Sequence, residues 1–333
     1  MVRLPLFARA FLLLTPWLLA APAWGQAGGS RETVSPSGRG DFHDIQLAID
    51  ALPAAGGTIT IAPGTYRGHV NVEKAGVTIV GTGAGPQDVV IVDDQSAATS
   101  GSIYASATAN ISGDDFHAAN LTFANDWEAD PAHGASQAVA LAVWGDRAVF
   151  RHVRVLGGQD TLYLTQPPGH TTRQYFSDCT IAGHVDFIFG NARAYFDRCT
   201  IRGVDHDKVL YTAQSRNAPD DQGGFVFHDC TFTAGRAPGG VYLGRPWRPY
   251  ARVVLIDSRI EPRLAPGGWR EWKPGLTHDG KTATYAEYGT RYAKGAPPDS
   301  RIAPLTAEQA AKWSLANFFH GHTQWIDRKD SDD

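Results

Sequence analysis

The sequence predicts an all-β protein folded as a parallel β-helix, a single-stranded solenoid with short capping helices at its N- and C-terminal ends. A short strand phrase recurs along the chain, and several copies follow a second strand that ends in phenylalanine. No Asn-Gly or Asp-Gly hairpin turn separates successive copies, as antiparallel neighbours would favour. An antiparallel sandwich also has many short strands, and it remains the alternative from these repeats alone.

The recurring phrase is a small or apolar residue, then Thr or Arg, then Ile, Val or Phe. Its copies are 20 to 44 residues apart and begin at Val77, Leu121, Val153, Cys179, Cys199, Cys230 and Ser258. The preceding strands end at Phe150, Phe176, Phe196 and Phe227. Residues that repeat once per coil stack on each other in a solenoid, and loops of different length account for the unequal intervals.

The chain ends carry different features. Residues 1–27 have a positive start, an apolar centre and small residues near a cleavage site, which predicts a cleaved secretory signal peptide. We therefore expect a secreted or periplasmic protein with no membrane partner after cleavage. Residues 28–40 are predicted to be a flexible lead-in, 41–326 the β-helix domain and 327–333 a disordered tail.

Two segments have helical features. Apolar residues at positions 42, 45, 49 and 52 have helical spacing and predict a helix that covers the first coil. The capping box Thr306-Ala-Glu-Gln309 predicts a C-terminal helix that continues to about residue 319. These are the two expected capping helices.

The charge balance excludes one class of partner. The 333 residues contain 30 Lys and Arg against 34 Asp and Glu, for a net charge of -4. A protein that binds nucleic acid through its phosphates is normally basic, so no nucleic-acid partner is expected.

The chain has three cysteines, and Cys179 and Cys199 occupy the same place in adjacent copies of the phrase. Neighbouring strands are about 4.8 Å apart, which lies within the Cα separation that a disulfide tolerates. We expect a Cys179–Cys199 disulfide and an unpaired Cys230 in the core. The cysteine spacing does not fit a zinc site and no histidine cluster accompanies it, so neither a metal nor a cofactor is expected.

Polar residues interrupt apolar surroundings at intervals of about one coil. Asp160 follows Gln159, which lies 22 residues after Gln137, and Asp186 lies 26 residues after Asp160. Stacking would align these residues on one face, with the two carboxyl groups roughly 5 to 6 Å apart if one strand spacing separates them. Two carboxylates at this distance resist simultaneous ionisation, so one pKa rises.

The surrounding residues suggest what such a pair does. Arg245 would keep one carboxylate charged, and the amides of Gln137 and Gln159 can donate hydrogen bonds to a developing oxyanion. Trp247 can offer a flat face to a sugar ring. The residues alone therefore indicate acyl or glycosyl transfer on a carbohydrate without a metal.

Four phrases in this order closely resemble those of the pectin methylesterases, or pectinesterases, of the bacterial secreted type. They are Gln137-Ala-Val-Ala-Leu141, Gly158-Gln-Asp-Thr-Leu-Tyr163, Val185-Asp-Phe-Ile-Phe-Gly190 and Leu243-Gly-Arg-Pro-Trp247. The resemblance spans about residues 41 to 325. It implies a right-handed parallel β-helix that hydrolyses methyl esters of galacturonate in pectin to give pectate and methanol, in pectin degradation or plant cell wall modification.

The resemblance also implies roles for single residues. Asp186 matches the nucleophile and Asp160 the general acid that protonates methanol and then acts as a base. Gln159 matches the oxyanion stabiliser, Gln137 assists it, and Arg245 orients Asp186.

Three aromatic residues match the substrate cleft: Trp247, Tyr163 and Phe189. Methylated homogalacturonan is the expected partner, and a monomer is the expected state. Ile103 stands where many plant members carry Thr, which leaves one substrate contact open.

Other interpretations stay open at this stage. A polygalacturonase-type glycosidase would use paired carboxylates on the same fold, although two amide donors suit a tetrahedral oxyanion better. A pectate lyase would need a calcium site, for which Asp93-Asp94 and Asp114-Asp115 are the only candidates. Trp269 and Trp272 could lie in the core or at the cleft edge, and His184 is expected to be structural.

Overall fold

Three parallel sheets, named A, B and C here, run along a solenoid in the computed structural model, which describes residues 29–273 and 282–327. In sheet A the strands are β1 (Ser30–Val34), β2 (Gly57–Ile61), β5 (Val77–Gly81), β8 (His117–Ala119), β11 (Ala148–Arg151), β14 (Arg173–Ser177), β17 (Arg193–Asp197), β20 (Gly224–His228), β23 (Arg252–Ile256), β25 (Thr284–Tyr288) and β27 (Ala303–Pro304).

The other two sheets complete each coil. In sheet B the strands are β3 (Gly64–Arg67), β6 (Val89–Asp93), β9 (Thr122–Asn125), β12 (Arg154–Leu156), β15 (Thr180–Gly183), β18 (Thr200–Gly203), β21 (Thr231–Ala234), β24 (Arg259–Ile260) and β26 (Arg291–Tyr292). In sheet C they are β4 (Val70–Val72), β7 (Ala109–Ile111), β10 (Leu141–Val143), β13 (Leu162–Leu164), β16 (Ile188–Gly190), β19 (Val209–Gln214) and β22 (Val241–Gly244). In the central coils the chain passes from A to B to C and then returns to A, so the predicted parallel β-helix is confirmed.

The core is built from residues that stack in register from coil to coil. Phe150, Phe176, Phe196 and Phe227 occupy the same position in sheet A. Their rings stack with centroid separations of 4.5, 5.0 and 4.5 Å along this series. Because side chains alternate across a strand, the residue before each phenylalanine faces outward.

The recurring phrase marks sheet B from its second copy onward. Thr122, Arg154, Thr180, Thr200 and Thr231 are in register on adjacent strands. The first predicted copy is different, because Val77 begins β5 of sheet A, which pairs with β2 and β8. A three-residue phrase resembles both kinds of strand, so it does not by itself distinguish the sheets.

The turn from sheet A to sheet B has the same backbone in successive coils. Its first residue has a left-handed φ between 50° and 56° at Asn120, His152, Asp178, Arg198, Asp229 and Asp257. The next residue is buried in each case: Leu121, Val153, Cys179, Cys199, Cys230 and Ser258.

The predicted Cys179–Cys199 disulfide is not formed in this structure, where both residues are free thiols, as is Cys230. The three side chains follow the same turn in adjacent coils, so each thiol points in a parallel direction toward the backbone. Cys179 donates to the carbonyls of Phe150 and Ser177 at 3.5 and 3.2 Å. No covalent bond joins the two sulfurs in this structure, although the side chains of Cys179 and Cys199 lie within hydrogen-bond reach of each other.

The N-terminal part of the solenoid begins earlier than predicted. Residues 30–34 fall in the expected flexible lead-in, but they form β1 and pair along their full length with β2. The predicted N-terminal helix is present as α1 (Ile45–Ala51), capped by Asp44, and it buries Ile45 and Ile49. This helix contacts β1 and β4, and so covers the first coil as predicted. The predicted signal peptide lies outside the described residues.

The C-terminal segment forms two short helices rather than one. The capping box of Thr306 and Gln309 begins α3 (Ala307–Ala311), and α4 (Leu315–Phe318) follows. They do not close the end of the solenoid, because Phe318 and Phe319 pack on the ring of Tyr195, on the outer face of sheet A. Of the predicted tail only residue 327 is described.

The remaining short elements are α2 (Ala97–Ser100) and two 3-10 turns, Tyr104–Ser106 and Trp127–Ala129. In the part of the chain that the structure describes, no helix has the length and apolar character needed to cross a membrane.

Candidate active site

The outer face of sheet C carries a strip of apolar and aromatic side chains. Ala142, Tyr163, Phe189 and Ala213 are in register on successive strands. The rings of Tyr163 and Phe189 stack at 4.6 Å, and Trp247 lies 6.1 Å from Phe189. Outward-facing aromatic rings in such a strip form a cleft wall suited to sugar rings.

Asp160 and Asp186 lie in equivalent turns between sheets B and C on neighbouring coils. Both have left-handed backbones, with φ of 62° and 55°, which aspartate tolerates better than most residues. The N–H of Asp160 donates to the carbonyl of Val185 at 3.1 Å, so the two turns are bonded to each other. The residues are 6% and 3% exposed, which places both carboxyl groups in a largely dry environment.

Arg245 binds Asp186 directly. It follows β22, and its backbone N–H donates to Thr212 at 2.9 Å. Its Nε lies 3.0 Å from both carboxylate oxygens, and Nη2 lies 2.5 Å from Oδ2. The guanidinium also lies 4.1 Å from the ring centre of Trp272, so it is held between a carboxylate and an aromatic face. The predicted contact between Arg245 and Asp186 is therefore present.

The two carboxyl groups have unequal electrostatic surroundings. Burial, and next the charge of Asp186, raise the pKa of Asp160 well above its usual range. Burial also raises the pKa of Asp186, but the hydrogen bonds and charge of Arg245 oppose that rise. The arrangement favours a protonated Asp160 beside an ionised Asp186, as required of an acid and a nucleophile.

The two carboxyl groups line a cavity of about 200 Å³ together with Ile103, Gln137, Gln159, Phe189, Ala213, Arg245, Trp247 and Trp272. The side chain of Gln137 is also hydrogen-bonded to Asp160. Gln159 immediately precedes Asp160, and its carbonyl accepts from Ala138 at 3.1 Å, which links it to the coil of Gln137. Two amides therefore border the same cavity as the carboxylate pair.

The sequence located most of the cavity but not all of its wall. Among the predicted residues only Tyr163 does not line it, because Tyr163 lies behind Phe189 in the stack. Trp272 lines the cavity, whereas Trp269 is buried and stacks on Tyr285 at 4.6 Å. Ile103, whose role was open, also lines it.

Two further aromatic residues extend the strip beyond Tyr163. Tyr104 and Trp144 have ring centres 5.2 and 5.4 Å from that of Tyr163. Trp144 follows Val143 at the end of β10, two residues after the outward-facing Ala142, so strand alternation could have predicted its position.

The site can support acyl transfer by a carboxylate nucleophile. Within the described ranges, no group of three or more His, Cys, Asp or Glu side chains could hold a metal ion. The sequence candidates for calcium ligands at Asp114 and Asp115 instead pair with Arg147, at 3.5 and 2.7 Å. Fold and site together define a carboxylic ester hydrolase built on a parallel β-helix.

Comparisons with known proteins agree. The family model Pectinesterase matches residues 31–322. A pectinesterase of Petunia integrifolia is 33% identical over 315 residues, covering 89% of this chain and 81% of that protein. The chain belongs to the pectinesterase family. It spans only about half the length of several other plant relatives.

Solved structures of the family have the same fold. Pectin methylesterase from carrot superposes with a TM-score of 0.76 at 29% identity, covering 87% of this chain and 93% of that one. A pectin methylesterase in complex with a hexasaccharide gives 0.73 at 26% identity, covering 86% of this chain and 96% of that one. Plant relatives are prominent in these comparisons, so the bacterial type stays a prediction.

Proposed function

We propose that the chain removes methyl groups from methylated galacturonate units of pectin, with Asp186 as the nucleophile. Its carboxylate attacks the ester carbonyl and forms a tetrahedral intermediate. Collapse of that intermediate breaks the bond to the methoxy group and leaves an acyl-enzyme anhydride. The observation that carries this proposal is that Arg245 hydrogen-bonds Asp186 and stabilises it as an anion, whereas burial and the charge of Asp186 raise the pKa of Asp160 despite the charge of Arg245.

Asp160 serves as the acid and then as the base. In the first step its carboxyl proton passes to the departing methoxy oxygen, which leaves as methanol. In the second step the resulting carboxylate takes a proton from water, and the hydroxide attacks the anhydride. This regenerates Asp186 as an anion and Asp160 as an acid and releases a galacturonic acid unit, which ionises by giving its proton to water.

The amides and the aromatic strip have supporting roles. Gln159 is the main donor to the oxyanion, and Gln137 assists it from the next coil. Such donors act strongly in a site from which water is excluded. Trp247, with Phe189 beside it, offers a flat apolar surface to the sugar rings.

Release of methanol and cleavage of the polymer separate the esterase from a glycosidase. The protein is incubated with highly methylated pectin, and methanol, reducing ends and unsaturated products are measured together. We expect methanol with no increase in reducing ends. Shortening of the polymer without methanol would overturn the proposal.

We also propose that the mature chain is secreted or periplasmic and acts as a monomer. The charged start and apolar centre of residues 1–27 support export. Sedimentation of the mature protein and cell fractionation with its native leader test both statements.

A further inference from the structure

Glu128, whose side chain is 40% exposed, contacts the buried His184 beside the turns that carry Asp160 and Asp186. Oε2 of Glu128 lies 2.7 Å from Nε2 of His184. The other ring nitrogen, Nδ1, accepts the backbone N–H of Val185 at 2.9 Å, so it carries no proton and Nε2 is the donor. His184 is only 4% exposed, and each of its two ring nitrogens makes a hydrogen bond within the protein.

The carboxylate of Glu128 also contacts the other turn. It accepts a backbone hydrogen bond from Gln159 and rests against Gly158, where an added Cβ would lie 2.4 Å from both of its oxygens. Burial is the largest influence and raises the pKa of Glu128, but the hydrogen bond and charge of His184 and the backbone N–H of Gln159 together outweigh it, so the net pKa is lowered. An ionised Glu128 thus joins the segment before Asp160 to the segment before Asp186.

Both partners are themselves held in place. Glu128 lies in the 3-10 turn Trp127–Ala129, which is anchored by the buried Trp127 through its Nε1 bond to Gly134 at 2.9 Å. His184 stacks on His206 with ring centres 3.9 Å apart and planes 6° from parallel. The backbone N–H of His184 donates to the carbonyl of Gly158 at 3.1 Å, which ties the two turns together at the same point.

We propose that Glu128 and His184 are positioning residues that set the orientation of Gln159, Asp160 and Asp186, and this inference rests on the function proposed above. Neither side chain lines the cavity, so neither acts on the substrate directly. The pair fixes the backbone from which the oxyanion donor and both carboxyl groups project. A displacement of about 1 Å at reacting groups can cost about 100-fold in rate.

The test compares three variants of the full chain on methylated pectin: Glu128→Ala, His184→Phe and Gly158→Ala. His184→Phe keeps a ring against His206 but neither hydrogen bond, and Gly158→Ala pushes the Glu128 carboxylate away. We expect each to lower kcat about 10- to 100-fold with KM within about twofold of the parent value. Glu128→Ala combined with His184→Phe should be no worse than the more damaging single change, because both break the same contact.

A matched control lies on the other side of the solenoid. Nδ1 of His228 lies 2.7 Å from Oδ1 of Asp197. Both residues belong to sheet A, whereas the cavity is bordered by sheet C. His228→Phe should leave kcat and KM unchanged. Glu128→Gln retains an acceptor for the N–H of Gln159 and should recover part of the lost kcat, and it also serves if the alanine variant fails to fold.

The outcomes separate this inference from the proposed function. A parent protein that releases no methanol contradicts the function itself. If the parent is active, an unchanged kcat in folded His184→Phe and in folded Glu128→Ala or Gly158→Ala overturns the positioning role. A rise in KM at constant kcat also overturns it, because it would mean that the pair binds substrate.

Discussion

Two aspartate–arginine pairs in this protein have the same backbone conformation at the aspartate but differ in how far their side chains are exposed to solvent. Asp178 and Asp186 have left-handed φ values of 56° and 55°, and each binds an arginine through two oxygens. The side chains of Asp178 and Arg198 are 34% and 48% exposed, whereas those of Asp186 and Arg245 are 4% and 23% exposed.

The difference shows that the turn conformation does not make a site. Left-handed residues recur in the tight turns between sheets A and B. Most of these residues are exposed to solvent. Burial changes the effect of the same ion pair. It raises the pKa of Asp186 against the opposing influence of Arg245 and, to a smaller extent, Arg270, so the charge of Asp186 depends mainly on the bound guanidinium of Arg245.

The largest difference between the pairs should appear in turnover. Asp186→Ala should lower kcat at least about 10³-fold, because no other carboxylate holds the nucleophile position. Asp178→Ala removes an aspartate with the same backbone and should leave kcat within about twofold. Methanol release measured for both variants tests this, and substantial turnover by Asp186→Ala would remove its assignment as the nucleophile.

The arginines should differ in the same order. Arg245→Ala leaves Asp186 without its counter-ion, and breaking a buried pair costs about 3 to 5 kcal/mol unless the carboxyl group becomes protonated. Either response impairs the nucleophile, so we expect kcat to fall about 100-fold or more. Arg198→Ala breaks the exposed pair with Asp178 and also a contact with the buried Asp197, which keeps His228 and Tyr175 as partners. It should lower the free energy of unfolding by about 1 kcal/mol. Urea unfolding and methanol release are measured for both variants. Losses of stability and activity in Arg198→Ala as large as those in Arg245→Ala would contradict the comparison.

The buried pair should also affect how stability depends on pH. The pKa of Asp160 is raised in the folded protein, mainly by burial, relative to about 3.9 in an unfolded chain. Its contribution to stability is complete below the unfolded pKa and is lost as the pH rises through the folded value. Asp160→Asn replaces the neutral acid with a neutral amide.

The stability advantage of Asp160→Asn over the parent should therefore grow with pH, while its turnover falls about 100-fold or more through loss of the acid. Urea unfolding at several pH values from acid to alkaline measures this difference. A difference that stays constant with pH would mean that Asp160 titrates normally.

Much of the candidate site could be predicted from the sequence, because the spacing between the polar phrases matches the length of one coil. That spacing placed Asp160 and Asp186 in one site, and the polar phrase at 243–247 added Arg245 to it. Stacking also predicted the phenylalanine ladder of sheet A. The rest of the cleft wall depends on which residues of sheet C face outward, and the polar phrases alone did not identify Trp144 or Tyr104.

The structure differs from the sequence predictions where a local sequence signal does not show which distant residues a segment packs against. The capping box correctly predicted where α3 begins, but nothing in Thr306 or Gln309 indicates that the segment folds back over Tyr195. Residues 30–34 were predicted to be part of a flexible lead-in, yet they pair with β2 and form a strand. Proximity between neighbouring coils suggested a disulfide, although proximity does not fix the direction in which stacked thiols point.

The smallest effect concerns those thiols, which follow Asp178 and its equivalents on the buried side of the same turns. The three free cysteines should give three thiols in a titration of denatured protein that has been kept without reductant. Added reductant should leave Tm unchanged, and Cys199→Ala should cost only about 1 to 2 kcal/mol, because each buried thiol acts as a small apolar group. A single titratable thiol, together with a Tm that falls in reductant, would show that the stacked Cys179 and Cys199 turn toward each other after all. In that case the exposed residue of the turn could be substituted without loss, as Asp178→Ala tests, whereas the buried residues Cys179 and Cys199 would form a disulfide.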